Sequence, residues 1–135
     1  MTTRSLVERT GTFFGLVLVA IIFGALVGPQ FFAPTNLELM ARQMAIVSIA
    51  AVGMTIVIVA GGIDLSVGSM MGLAAVSFGA GYHVWHLALP LAAAGAVLVG
   101  FAGGALNALL IARLQLPALI VTLGTFSLFR GIAEG

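Results

Sequence analysis

The sequence predicts an all-α protein, a polytopic transmembrane bundle of about five hydrophobic helices with a cytoplasmic N-terminus. Three observations predict it. Hydrophobic residues make up 61% of the 135 positions and charged residues 7%, so whole stretches lack the polar face that a water-soluble helix needs. The mean hydropathy is +1.25. The charges stand singly or in small groups, at Arg4, Glu8, Arg9, Glu38, Arg42, Asp64, Arg113, Arg130 and Glu134, with long uncharged runs between them.

Residues 11–32 form the first expected span. Its apolar part, residues 13–32, would rise about 30 Å as a helix, the thickness of the hydrocarbon core. Arg4 and Arg9 precede it as they would a signal peptide, but the stretch is long and no A-x-A cleavage site follows, so it reads as an anchor. Residues 43–62 are again uncharged and rich in β-branched residues, which a bilayer accepts in helices because every backbone group is bonded internally. A third, rather short run covers residues 66–82, and Tyr82, His83, Trp85 and His86 behind it resemble an aromatic anchor at a membrane surface. Residues 87–112 are long enough to cross with some tilt, closed by Arg113. The last run, residues 117–130, is short, and Pro117 and Gly124 make it easily kinked or re-entrant.

An inside N-terminus places Arg4, Arg9 and Arg113 in the cytoplasm and Arg42 outside, which satisfies the positive-inside bias. Asp64 then falls near the inner side, unless the second and third spans are halves of a structure broken inside the membrane. Gly68-Ser-Met-Met-Gly72 and Gly100-Phe-Ala-Gly-Gly104 set small residues one turn apart and suit close helix packing, although such spacings also arise by chance in glycine-rich helices.

Composition excludes several functions. With no cysteine and no lysine, the chain has no disulfide framework, no thiolate metal site, no Cys nucleophile and no Walker lysine. His83 and His86 lie three apart with no acid nearby in sequence, so interfacial placement is their simpler reading, and no metal or other cofactor is expected. No second convergent group accompanies the one acid flanked by spans, so no catalytic residue is expected and the chain reads as a non-enzyme.

That acid, Asp64, sits where a carboxylate is costly and needs a reason. One reading is a gate, relay or substrate contact. The other is structural: Asp64 or Ser66 caps the third helix, Gly61 and Gly62 supply the turn before it, and Gly68 follows. Asn107, Thr122, Thr125 and Ser127 are polar positions within later spans. They suit a translocation path or, for Thr and Ser, hydrogen bonds to their own helix.

Two segments carry a resemblance. Gly53-Met-Thr-Ile-Val-Ile-Val-Ala-Gly-Gly-Ile-Asp-Leu-Ser-Val-Gly68 is similar to the signature of the membrane permease subunits of bacterial ABC importers for ribose, xylose, arabinose, rhamnose and autoinducer-2. Leu106-Asn-Ala-Leu-Leu-Ile-Ala112, followed by Leu116-Pro-Ala-Leu-Ile-Val-Thr-Leu-Gly-Thr-Phe-Ser-Leu-Phe-Arg-Gly131, resembles a second stretch of that family in the expected order. Phe31-Phe32 before Thr35-Asn36-Leu37 resembles its first outer loop. The resemblance implies one transmembrane permease domain over residues 1–135 in the bacterial inner membrane. It also implies pairing with a second permease copy or homologue, cytoplasmic ATPase subunits and a periplasmic sugar-binding protein. Asp64, Ser66, Asn107, Thr122 and Thr125 are then the expected path or gating residues. Members of the family are more than twice this long, so the chain is expected to be an N-terminal portion, and a truncated assembly partner without transport of its own is the alternative.

Overall fold

The computed structural model describes the backbone of residues 3–135 and the side chains from Thr10 onward, Thr12 apart. Five α-helices account for most of it: α1 (Thr3–Val27), α2 (Pro34–Val59), α3 (Val67–Gly79), α4 (Leu89–Ala112) and α5 (Ala118–Glu134), with no strand among the described residues. Among the described residues three stretches are, by length and composition, able to reach across a bilayer: Phe13–Phe32, Pro34–Val59 and Leu89–Ala112. The chain separates into two compact units, Met1–Ile49 and Ala50–Gly135.

In the first unit α1 stops at Gly28, whose φ of +77° is a left-handed conformation that costs a side-chain-bearing residue about 1 kcal/mol or more. A single 3₁₀ turn, Gly28–Phe32, then folds two rings back along α1. Phe31 stacks on Phe23 with centroids 6.4 Å apart and meets Phe32 edge-on at 4.9 Å. The Phe32 ring lies over Gly24, where a Cβ would stand 2.7 Å from Cε2 and push the ring aside. Asn36 Nδ2 donates to the Phe31 carbonyl at 2.7 Å and ties the turn to the start of α2.

Pro34 opens α2, where a missing N–H costs nothing and the fixed φ suits a helix. The uncharged second run begins at residue 43, yet the helix begins nine positions earlier and includes Glu38 and Arg42. The physical reason is their i,i+4 spacing: Arg42 donates to Glu38 at 2.7 Å, and both side chains are well exposed. With 26 residues, α2 is about 39 Å long, more than the hydrocarbon thickness.

In the second unit α2 ends in a Schellman motif. The Gly61 N–H bonds to the Ile58 carbonyl and the Gly62 N–H to the Val57 carbonyl, both at 2.9 Å, with Gly61 at φ +80°. A Cβ on Gly62 would press on Val57 at 3.2–3.3 Å. The glycine pair therefore terminates one helix, a tighter role than a flexible turn before the next.

Helix α3 has 13 residues, about 20 Å, too short to cross a bilayer core of about 30 Å. It continues into a π-helical turn, Ala80–Val84, in which the Trp85 N–H reaches the Ala80 carbonyl at 3.0 Å. Tyr82, Val84 and Trp85 are exposed there, and Tyr82 stacks on Phe78. Helix α3 packs on both α4 and α5, which also pack on each other. Its start lies beside the end of α4, through Ser66 and Asn107, and its end beside the start of α4, through Gly81 and Ala92, so the two run antiparallel.

The close approach among these helices uses Gly103. A Cβ there would overlap Met70 Cε and stand 3.1 Å from Phe129 Cζ. The glycines singled out by spacing, Gly68, Gly72, Gly100 and Gly104, have nothing within 4 Å of such an atom. Spacing alone cannot tell which glycine of a run faces a neighbour.

Candidate functional site

The connection between α2 and α3 builds the site. Once the Schellman turn has closed α2, residues 63–65 run without helical bonds, and Asp64 organises them. Its Oδ1 accepts the Ser66 N–H at 2.8 Å and the Ser66 hydroxyl at 2.6 Å, a local Asx arrangement that short carboxylates favour. Ser66 is 1% exposed. It precedes α3 with helical dihedrals and makes no side-chain cap bond. The cap expected of Asp64 or Ser66 is thus divided: Asp64 ties the residue ahead of the helix, while the Ser66 carbonyl accepts the Met70 N–H and the Ser69 hydroxyl, each at 2.9 Å.

The Ser66 hydroxyl reaches across the unit. Asn107 Nδ2, on α4, donates to Ser66 Oγ at 2.8 Å over a separation of 41 residues. The direction of this relay follows from counting protons. A carboxylate accepts only, so the single Ser66 hydroxyl hydrogen goes to Asp64, and Asn107 must offer its N–H. Asn107 Oδ1 is consequently left buried with no hydrogen-bond partner among the described residues. Asn107 is 6% exposed, and a buried acceptor left unpaired costs about 1–3 kcal/mol.

Thr122 and Thr125 lie on the buried face of α5 with Val121 and Phe129. Thr122 Oγ1 donates to its own-helix Ala118 carbonyl at 2.8 Å and stands 3.4 Å from the Ile63 carbonyl, next to Asp64. Thr125 bonds to the Val121 carbonyl at 3.1 Å and makes no bond to the relay. Ser127 is exposed and bonds within α5. The structure therefore brings Asp64, Ser66 and Asn107 together, sets Thr122 at their edge and leaves Thr125 as a helix-internal hydroxyl. Gly68 is the second residue of α3, and nothing lies within 4 Å of where its Cβ would stand.

Sequence reasoning passed over Ser69 and the pairing of Met70 with Gly103. Ser69 also lines a groove of about 300 Å³ between α3 and α5, with Gly68, Gly72, Phe126, Arg130 and Glu134. Arg130 and Glu134 pair there at 2.8 Å. His83 and His86 are exposed, and no cluster of three or more metal-ligating side chains occurs among the described residues.

Long apolar helices, with buried amide and hydroxyl groups converging on the unwound segment that follows α2, define an all-α membrane protein. Over residues 36–134 the chain matches, and belongs to, the family described as the branched-chain amino acid transport system / permease component. It is 39% identical over 113 residues to the fructose import permease protein FrcC of Rhizobium meliloti, covering 84% of this chain and 31% of the relative. It is 33% identical over 125 residues to the autoinducer 2 import system permease protein LsrC of Salmonella typhimurium, covering 93% of this chain and 36% of the relative. The chain thus spans about a third of the length of the curated relatives it matches. No solved structure matches it.

Proposed function

We propose that the chain is the permease subunit of an ATP-driven importer, forming part of the path that carries a monosaccharide across the bacterial inner membrane. Family membership over residues 36–134 is the observation that carries this reading, since the matched relatives are named as import permeases for fructose and autoinducer 2. The polar chemistry favours a neutral polyol over an amino acid. An amino acid carries an ammonium and a carboxylate that would each need a counter-charge in low dielectric, whereas the relay joins one carboxylate to a hydroxyl and an amide.

In this reading the chain supplies a path and no chemistry. ATP is hydrolysed on separate cytoplasmic subunits, a periplasmic binding protein delivers the sugar, and a second permease copy or homologue completes the channel. Asp64, Ser66 and Asn107 gate the path, with Thr122 beside them, and the N-terminus is cytoplasmic. ATP-driven uptake of radiolabelled D-fructose or D-ribose into proteoliposomes holding the assembled importer tests it. Uptake that needs ATP and the binding protein supports the reading, and its absence for both sugars defeats it. Orientation has its own test, which the lack of native cysteine makes clean: cysteines placed at Thr3 and Trp85 should label from opposite faces of the membrane.

A further inference from the structure

The relay leaves Asn107 half used. Its amide carries two N–H donors and a carbonyl acceptor, with one N–H lying beside the acceptor. One N–H goes to Ser66 Oγ and the acceptor has no partner among the described residues, although Asn107 is only 6% exposed. Ser66 cannot serve both, because its only hydrogen is committed to Asp64 at 2.6 Å. The group that would satisfy the whole edge is a vicinal diol: one hydroxyl donates to Oδ1 while its neighbour accepts from Nδ2. Sugars carry such pairs; a simple alcohol does not.

We infer that Asn107 reads a vicinal diol of the transported solute and that Ser66 is its stand-in partner while the site is closed. This rests on the sugar-import reading and names the residue that sets its specificity. The exchange has a mechanical consequence. Ser66 ends the unwound segment between α2 and α3, and its bond to Asn107 fastens that segment to α4. A diol that donates to Oδ1 and takes the N–H now given to Ser66 pairs both atoms of the amide where Ser66 pairs one, so in this inference the solute competes with the fastening and frees the segment. Asp64 acts as a positioning residue, since it takes the Ser66 hydroxyl hydrogen and leaves Ser66 Oγ to accept from Asn107.

The test uses the importer in proteoliposomes with D-ribose and D-fructose, each compared with a deoxy analogue that lacks one hydroxyl of a vicinal pair. Wild-type uptake is read first, and no ATP-driven uptake of either sugar removes the import reading and this inference with it. Given uptake, Asn107→Leu should raise KM for the intact sugar about tenfold or more while changing the deoxy analogue about threefold or less. Ser66→Ala should do the opposite and lower KM for the intact sugar, because the competitor for Asn107 is gone. A purely structural relay would shift both variants in the same direction and both solutes by the same factor, and that result overturns the inference. Should Asn107→Leu fail to accumulate in the membrane, Asn107→Ala takes its place with the same expectations, and Ser66→Ala alone still decides by the sign of its KM change.

Discussion

The two units of the molecule hold themselves together by different means. The first closes on itself locally: Phe31 and Phe32 fold back on Phe23 and Gly24, and Asn36 fastens the turn to the helix it starts. No residue of α2 is buried. The second unit closes over distance, with Ser66, Ser69, Asn107, Thr122 and Thr125 buried beside Ala92, Val121 and Phe129. The contrast teaches what organises helices where the surroundings are as apolar as the side chains. Burying leucine gains little against lipid, so specificity falls to small residues that admit close contact and to polar groups that must find partners. The first unit leaves its apolar faces for lipid, while the second spends its polar residues on holding a broken segment in place.

The largest effect should come from filling the tightest contact. Gly103→Leu would collide with Met70 and Phe129 and should destabilise the second unit by about 3 kcal/mol. Gly104→Leu, one position on and facing open space, should be neutral or slightly stabilising as a better helix former. Denaturation in mixed micelles, followed by circular dichroism, separates them, and equal losses would mean that Gly103 is not the contact point.

Next, Ser66→Ala strands Asn107 with neither amide group paired and should cost about 2 kcal/mol in the same assay. A loss no larger than that of Ser127→Ala, whose hydroxyl is exposed and bonds only within its helix, would sink the claim that the relay carries stability.

In the first unit Gly24→Ala displaces the Phe32 ring and should cost about 1 kcal/mol or more, with the effect confined to that unit. Hydrogen exchange resolved by segment checks this. Loss of protection spreading through α4 and α5 would show that the units are not independently held.

The smallest effect belongs to Glu38→Gln. Its partner Arg42 is an exposed i,i+4 neighbour, and such pairs contribute less than about 0.5 kcal/mol. A loss above about 1 kcal/mol would mean that the pair is screened from water, and α2 would then need a buried environment at its start.

Much of this was legible from the residues. Hydrophobic runs between isolated charges located five helices, and Asp64, Ser66 and Asn107 stood out as polar groups in apolar runs. Their chemistry was legible but their pairing was not, because Ser66 and Asn107 are 41 residues apart and meet only once helix register and tilt are set. The same holds for Gly103 among the three glycines of residues 100–104: each suits a close approach, and only the rotation of α4 selects one. The start of α2 was obscured by treating charge as an end to helix, when an i,i+4 pair lets a helix carry both signs. The third run reads as short, but its division into α3 and a π turn was hidden because both share the same apolar composition.

The most direct test of the account is a double-mutant cycle on the Asn107–Ser66 bond that joins the broken segment to α4. Unfolding free energies for wild type, Ser66→Ala, Asn107→Leu and the double variant, measured in bicelles, give the coupling between the two side chains. A coupling of about 1 kcal/mol is expected for a buried interhelical hydrogen bond. Strictly additive losses would contradict it, and the connection between α2 and α3 would then not be fastened through Asn107.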